Sequence, residues 1–182
     1  MEGIVGVFFL IFVFFLSVLG FIAHEVEEIL TQRDWVLKNA ATLKQRFPKL
    51  AKVFDHLLTL DTKAFIFAVI EEAIVIVLAI ILSIRMDWFL FLFGIFFAYT
   101  LHLLVHIIQG IIFRGYVPGL VTTCIFFPFY AYIIYLYISV PEFIGDTDPL
   151  SLLLAGLAGA CFLLVNLLFS HWFGKKISSL FK

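Results

Sequence analysis

Three stretches of this sequence put imidazole and carboxylate groups inside otherwise apolar runs: His24-Glu25-Val26-Glu27-Glu28, Glu71-Glu72, and His102-Leu103-Leu104-Val105-His106. Helical periodicity sets Glu27 and Glu28 three and four residues after His24, and His106 four after His102, so each set shares one helix face. Carboxylates gathered beside neutral imidazoles in a low-dielectric bundle repel one another unless they bind cations or protons. Mixed imidazole and carboxylate donors suit Zn²⁺, Fe or Mn, and facing helices can hold two such ions in a bundle core. The expected ligands are His24, Glu28, Glu72, His102 and His106. They serve one or two divalent ions, with zinc the first choice, and the charge of four glutamates favours two. Glu71 and Glu72 stand ~100° apart around a helix and cannot both aim at one atom. One of them is therefore expected to be protonated or to lie behind the ligands, and Glu27 or Glu71 is expected to handle protons. Glu25 follows His24 as the general base follows the first histidine of the zinc-protease pattern H-E-x-x-H, but position 28 is Glu here.

Helices must carry these groups across a membrane. The chain is 64% hydrophobic with 24 phenylalanines, more apolar surface than a soluble domain of 182 residues buries. Five runs reach the ~20 residues that span hydrocarbon: about 4–23, 64–84, 88–108, 119–140 and 150–169. The sequence thus predicts an all-α fold, a polytopic membrane helical bundle forming one transmembrane domain over residues 1–182. The first run lacks a basic leader and has the length of a full span, so it is expected to be a retained helix. Cys124 and Cys161 fall in apolar runs and read as small core residues rather than ligands.

Eleven of the twelve Lys and Arg residues lie on one side of these spans, leaving only Arg85 on the other with Glu142, Asp146 and Asp148. The positive-inside rule then places the N-terminus outside and the C-terminus in the cytoplasm of a multi-pass cell-membrane protein. In this arrangement Glu71, Glu72 and His102 all lie about 10 Å in from the cytoplasmic ends of their helices. Between the first two spans, over residues 33–60, Leu43, Phe47, Leu50, Phe54, Leu57 and Leu58 recur at helical spacing while Lys38, Lys44, Arg46, Lys49 and Lys52 supply a polar face. This predicts cytoplasmic amphipathic helices on the membrane surface, a second one opening at Pro48, which serve first as a connector covering the bundle, with docking on anionic lipid the alternative. His56 and His171 are expected to be interfacial side chains rather than ligands.

The residues His24, Glu27 and Glu28, followed by Tyr116-Val117-Pro118-Gly119 and a further histidine that is either His102 or His106, resemble a family of small integral membrane proteins named for an H-x-x-E-E motif. The resemblance covers most of the chain. It implies no activity. Tyr116 falls at the cytoplasmic mouth of the fourth span, where Pro118 suits a helix start and Gly119 permits close approach. Its hydroxyl is expected either to form part of the helix-entry turn or to stand over the site as a proton donor or substrate contact.

Intramembrane ionisable residues point to function. The leading expectation is a metal-dependent enzyme of hydrolase type acting on a membrane lipid or another hydrophobic substrate at the cytoplasmic leaflet, turning to oxidation if the metal is iron. A divalent cation or proton transporter is the alternative, although the outer halves of the spans offer no matching polar residues. A haem or quinone redox protein and a purely structural membrane protein come third. The balanced charge of −1 gives no reason to expect nucleic acid as a partner.

Overall fold

The computed structural model describes residues 2–139 and 147–181, with side chains from residue 12 onward. The elements in order are α1 (Glu2–Arg46), a single 3₁₀ turn (Pro48–Leu50), α2 (Ala51–Leu58), α3 (Thr62–Arg85), α4 (Phe89–Phe113), α5 (Leu120–Ser139) and α6 (Pro149–Ser179). The described residues contain no strand. Val140, Glu142, Asp146 and Lys182, which enter the sequence reading of the last spans and of the charge balance, lie outside the described residues.

Helices α3 to α6 are each long and apolar enough to cross a membrane. They coincide with the four spans expected after the first, although α4 runs on past residue 108 to Phe113 and α6 past residue 169 to Ser179. Their starts follow local chemistry. The Asp61 carboxylate accepts from the Ala64 amide at 2.7 Å and caps α3, and Asp148 accepts from Leu150 and Ser151 at the head of α6, with Pro149 in the first turn. Large apolar side chains such as Ile70, Ile74 and Leu78 on α3, and Leu153, Leu157 and Leu164 on α6, are exposed. Such a surface matches lipid rather than water. Cys124 and Cys161 are exposed as well, not in the core as expected.

The expected first span, about residues 4–23, is the N-terminal half of one 45-residue helix, some 68 Å long at the α-helical rise. The chain does not turn onto a separate surface helix near residue 33, as the sequence predicts. Residues 33–46 continue α1 instead, and the first break comes at Phe47-Pro48. Pro48 opens only the 3₁₀ turn, and α2 folds back so that Val36, Ala40, Leu43 and Phe54 bury one another, flanked by Trp35, Phe47, Leu57, Leu58 and Phe113. Arg33 fastens this hairpin by donating to the Leu58 and Leu60 carbonyls at 2.8 and 3.2 Å, and Lys44 pairs with Asp55. The apolar repeat is therefore spent largely on α1 packing against α2 and the end of α4, which is nearer the connector reading than the lipid-docking one.

Helix α6 packs along α3 and α4. A Cβ at Gly159 would fall 2.0 Å from the Gly94 carbonyl oxygen, and one at Gly94 would fall 2.2 Å from the Ala155 oxygen. Only glycine allows the two backbones this approach. Beyond the polar cluster the bundle is filled by Ile80, Leu92, Phe93, Phe96, Tyr130, Ile133 and Tyr137.

Candidate functional site

Helix α1 delivers His24 and Glu28, and α4 delivers His102 and His106 four residues apart. The His24 Nε2 and His102 Nε2 atoms are 3.3 Å apart, and His106 Nε2 is 3.1 Å from the same His102 nitrogen. One nitrogen from each of the three rings lies within 4.8 Å of the others. Glu28 closes the group, with Oε1 at 3.4 Å from His106 Nε2 and 4.0 Å from His24 Nε2. A tetrahedral ion with bonds of ~2.0–2.1 Å to nitrogen holds its donors ~3.3 Å apart, the separation of two of these pairs, while the full set spreads to 4.8 Å; the three rings are a group that could hold a metal ion.

The ring of His24 is held by a relay from a residue that the sequence reading did not single out. Its Nδ1 lies 3.2 Å from Thr122 Oγ1, and that hydroxyl donates at 2.6 Å to Glu27 Oε2. With its proton committed to Glu27, Thr122 can only accept from His24. The hydrogen of His24 is thereby fixed on Nδ1 and the Nε2 lone pair faces the cluster. Metal-binding histidines are oriented in this way by their outer nitrogen. His106 faces the Pro118 carbonyl, although its Nδ1 makes no hydrogen bond of normal geometry.

Glu27 has a different setting from Glu28. Its carboxylate accepts from the Tyr116 hydroxyl at 2.8 Å, the Val121 amide at 3.1 Å, the Thr122 amide at 2.7 Å and the Thr122 hydroxyl. It is thus the N-terminal cap of α5, supplied from α1, where a negative charge also meets the positive end of the helix dipole. Tyr116, 41% exposed, shares its hydroxyl with Glu27 and, at 3.1 Å, with Thr31, and its carbonyl accepts from Trp35 Nε1 at 2.7 Å. Partial burial, with Glu27 alongside, holds the Tyr116 phenol above its ordinary value, so it is a neutral donor. Gly119 completes the junction. Its φ of +78° is in the left-handed region, and a Cβ there would lie 2.6 Å from His24 Cε1 and 3.2 Å from Glu28 Oε1. The two motifs noted in the sequence are two sides of one contact.

The remaining carboxylates surround this centre. Glu25 is 7% exposed, more deeply placed than its sequence context suggests. Glu25, Glu28 and Glu72 are electrostatic neighbours. Glu71 is 9% exposed with a buried Oε2 that has no hydrogen-bond partner, and it lies within electrostatic range of Glu72. Among the expected ligands the structure therefore gathers His24, Glu28, His102 and His106 directly, with Glu72 at electrostatic range. Depth agrees: Glu72 is about ten residues from the start of α3 and His102 about eleven from the end of α4, rises of ~15 and ~16 Å.

A second histidine pair emerges only in three dimensions. His56 Nε2 on α2 meets His171 Nδ1 on α6 at 3.1 Å with the rings stacked, and Lys175 Nζ approaches His56 Nδ1 at 3.5 Å. Partial burial and the Lys175 charge hold His56 below its ordinary value. Each residue alone reads as interfacial, and nothing in a single sequence joins positions on two separate elements.

The fold and site define a class, a helical membrane protein with a buried cluster of histidines and glutamates. Within it, residues 7–133 match the family described as "Protein of unknown function with HXXEE motif", and the chain belongs to that family. No curated protein and no solved structure matches it significantly.

Proposed function

We propose that this protein is a membrane-embedded metal-dependent hydrolase acting on an ester lipid, or another hydrophobic substrate, at the cytoplasmic leaflet. The observation that carries the reading is the convergence of the His24, His102 and His106 ring nitrogens at 3.1 and 3.3 Å with Glu28 beside them. That spacing supports one divalent ion, zinc first, more directly than two. Such an ion supplies Lewis acidity and activates water near neutral pH. His24, His102, His106 and Glu28 hold it. Glu25 and Glu72, crowding Glu28, are the carboxylates available to take a proton from water and return it to the leaving alcohol. Glu27, Thr122 and Tyr116 keep His24 oriented.

With α1 as a fifth span, Arg33 to Lys63, Arg114 and the end of α6 share one side, which the positive-inside rule makes cytoplasmic. Transport has less support, because beyond Tyr99 the bundle is packed with Phe93, Phe96, Ile133 and Tyr137.

The test starts with protein purified in mild detergent without chelator, its metal content read by plasma mass spectrometry beside His24→Ala and His102→Ala. About one equivalent per chain, lost in both variants, is expected, and a folded wild-type protein without metal overturns the reading. Release of fatty acid from reconstituted ester lipid should then be abolished by a chelator. Metal binding without turnover removes hydrolysis and leaves the centre.

A further inference from the structure

Next to the histidines, and not used by them, lies a narrow crevice of about 50 Å³ among five helices, lined by Val18, Phe21, Ala73, Ile76, Val77, Phe96 and Tyr99 among others. Helices α1 and α3 close on each other at Ile29 and Phe65. The crevice lies two turns and more farther along, at Phe21 and Ala73. Two of its three polar side chains are spoken for: Ser17 Oγ donates to the Val13 carbonyl at 2.7 Å, and the Tyr130 hydroxyl donates to the Ser17 carbonyl at 2.6 Å. Water needs two to four polar partners to stay in such a space, so the crevice is either dry or takes an apolar group.

One residue joins the crevice to the cluster. The Tyr99 ring lines the crevice and also stacks on His102 at 5.9 Å and meets His24 edge-on at 6.2 Å. Tyr99 is 8% exposed, and its hydroxyl is buried with no hydrogen-bond partner. A buried donor left unpaired is costly, and a ligand oxygen would relieve it.

We infer that the crevice holds one acyl chain of a bilayer ester lipid, with the Tyr99 hydroxyl donating to the ester carbonyl oxygen beside the histidines. This rests on the hydrolase reading for its chemistry, but chain binding can be measured without turnover. Tyr99 then fixes the carbonyl next to His24 and His102, while Ala73, Ile76 and Phe96 grip the hydrocarbon.

The experiment uses the full chain in phosphatidylcholine nanodiscs doped with a phosphatidylcholine bearing a diazirine on one acyl chain, irradiated and mapped by peptide mass spectrometry. Inward positions such as Ile76, Val77 and Phe96 should label along with the exposed Ile74 and Leu78. Ala73→Phe, or Val18→Phe from the facing helix, should cut inward labelling about five-fold and leave Ile74 and Leu78 unchanged. An ether-linked diazirine lipid, which lacks the carbonyl, should label the inward positions about five-fold less than the ester, the factor expected for one hydrogen bond. Tyr99→Phe should erase that difference. Inward labelling that is absent, or unaffected by both filling variants, overturns the acyl-chain site; an ester preference that survives in Tyr99→Phe overturns the role of Tyr99. Repeating the labelling after chelation separates the two readings. Crevice labelling in a protein that never binds metal upholds the chain site and removes the hydrolase, whereas bound metal without crevice labelling does the reverse.

Discussion

The two adjacent glutamates of the motif should fail in different ways when changed. Glu27 receives four hydrogen bonds, two of them from backbone amides in the first turn of α5. Removing a side-chain cap costs about 1 kcal/mol, and losing the charge at the helix N-terminus adds about 0.3–1 kcal/mol. Glu27→Gln is not conservative here. Its amide nitrogen would replace either Oε1, confronting the Val121 N–H, or Oε2, confronting the Thr122 N–H, so in either flip one backbone donor faces another. Both Glu27→Gln and Glu27→Ala should therefore destabilise the protein by about 1–3 kcal/mol, with Ala the worse. Hydrogen exchange at Val121 and Thr122 should rise roughly 5- to 140-fold, since each 1.4 kcal/mol is a factor of ten. Glu28→Ala should leave that exchange and the unfolding midpoint near wild type while lowering metal content. Its carboxylate caps nothing and faces the histidines and the neighbouring carboxylates. The reasoning is refuted if Glu27→Ala unfolds like wild type, or if Glu28→Ala loosens α5 as much as Glu27→Ala does.

Gly119→Ala must hold a left-handed residue and push a Cβ to 2.6 Å from His24 Cε1; the strain alone costs about 1–2 kcal/mol, and metal content should fall with stability in the same preparation. Gly159→Val, by contrast, should part α6 from α4 at the Gly94 crossing, seen as a lower midpoint in detergent unfolding, with the His24 cluster retaining its metal in whatever fraction stays folded. For pH, His56 lies below its ordinary value in the folded chain, with His171 and Lys175 facing it. The unfolded state then binds more protons, so docking of α2 is fully stable above about pH 6.5 and weakens as pH falls below that value. Exchange protection over residues 51–58 should drop between pH 7 and 5 after correction for the intrinsic rate, and His56→Gln should flatten the response; a response unchanged in that variant assigns the effect elsewhere.

Much of the scaffold is legible in the sequence because its cause is local. The apolar runs that became α3 to α6 are long enough that composition alone decides them, and Asp61 and Asp148 mark two of the starts. Within the site, helical spacing suffices to pair His102 with His106 and His24 with Glu28. The family resemblance, read from His24, Glu27, Glu28 and Tyr116 to Gly119, is borne out by the match over residues 7–133. What escapes the sequence is non-local. The amphipathic repeat of residues 33–60 fits a surface helix and a self-packed hairpin equally well, because lipid and Phe54 are both apolar partners. His56 and His171 lie 115 residues apart, and Thr122 is an ordinary threonine until the fold sets it between His24 and Glu27.

Glu27 shows why the spacing inside the motif matters. A carboxylate three residues after His24 reaches the head of α5, and one four residues after it reaches the histidines of α4, because consecutive helical residues diverge by ~100°. Exchanging the two functions by one position would aim the cap at the cluster. The relay from Glu27 through Thr122 to His24 Nδ1 adds a second constraint, since it ties the tautomer of the histidine to the same carboxylate that holds α5 in place. Any movement of α5 that released Glu27 would also free the His24 ring to rotate and give up the Nε2 position 3.3 Å from His102. The packing of α5 on α1 and the placing of the His24 ring thus share the same contacts, and Tyr116 and Gly119 belong to them because the same turn supplies the donor to Glu27 and the space for His24.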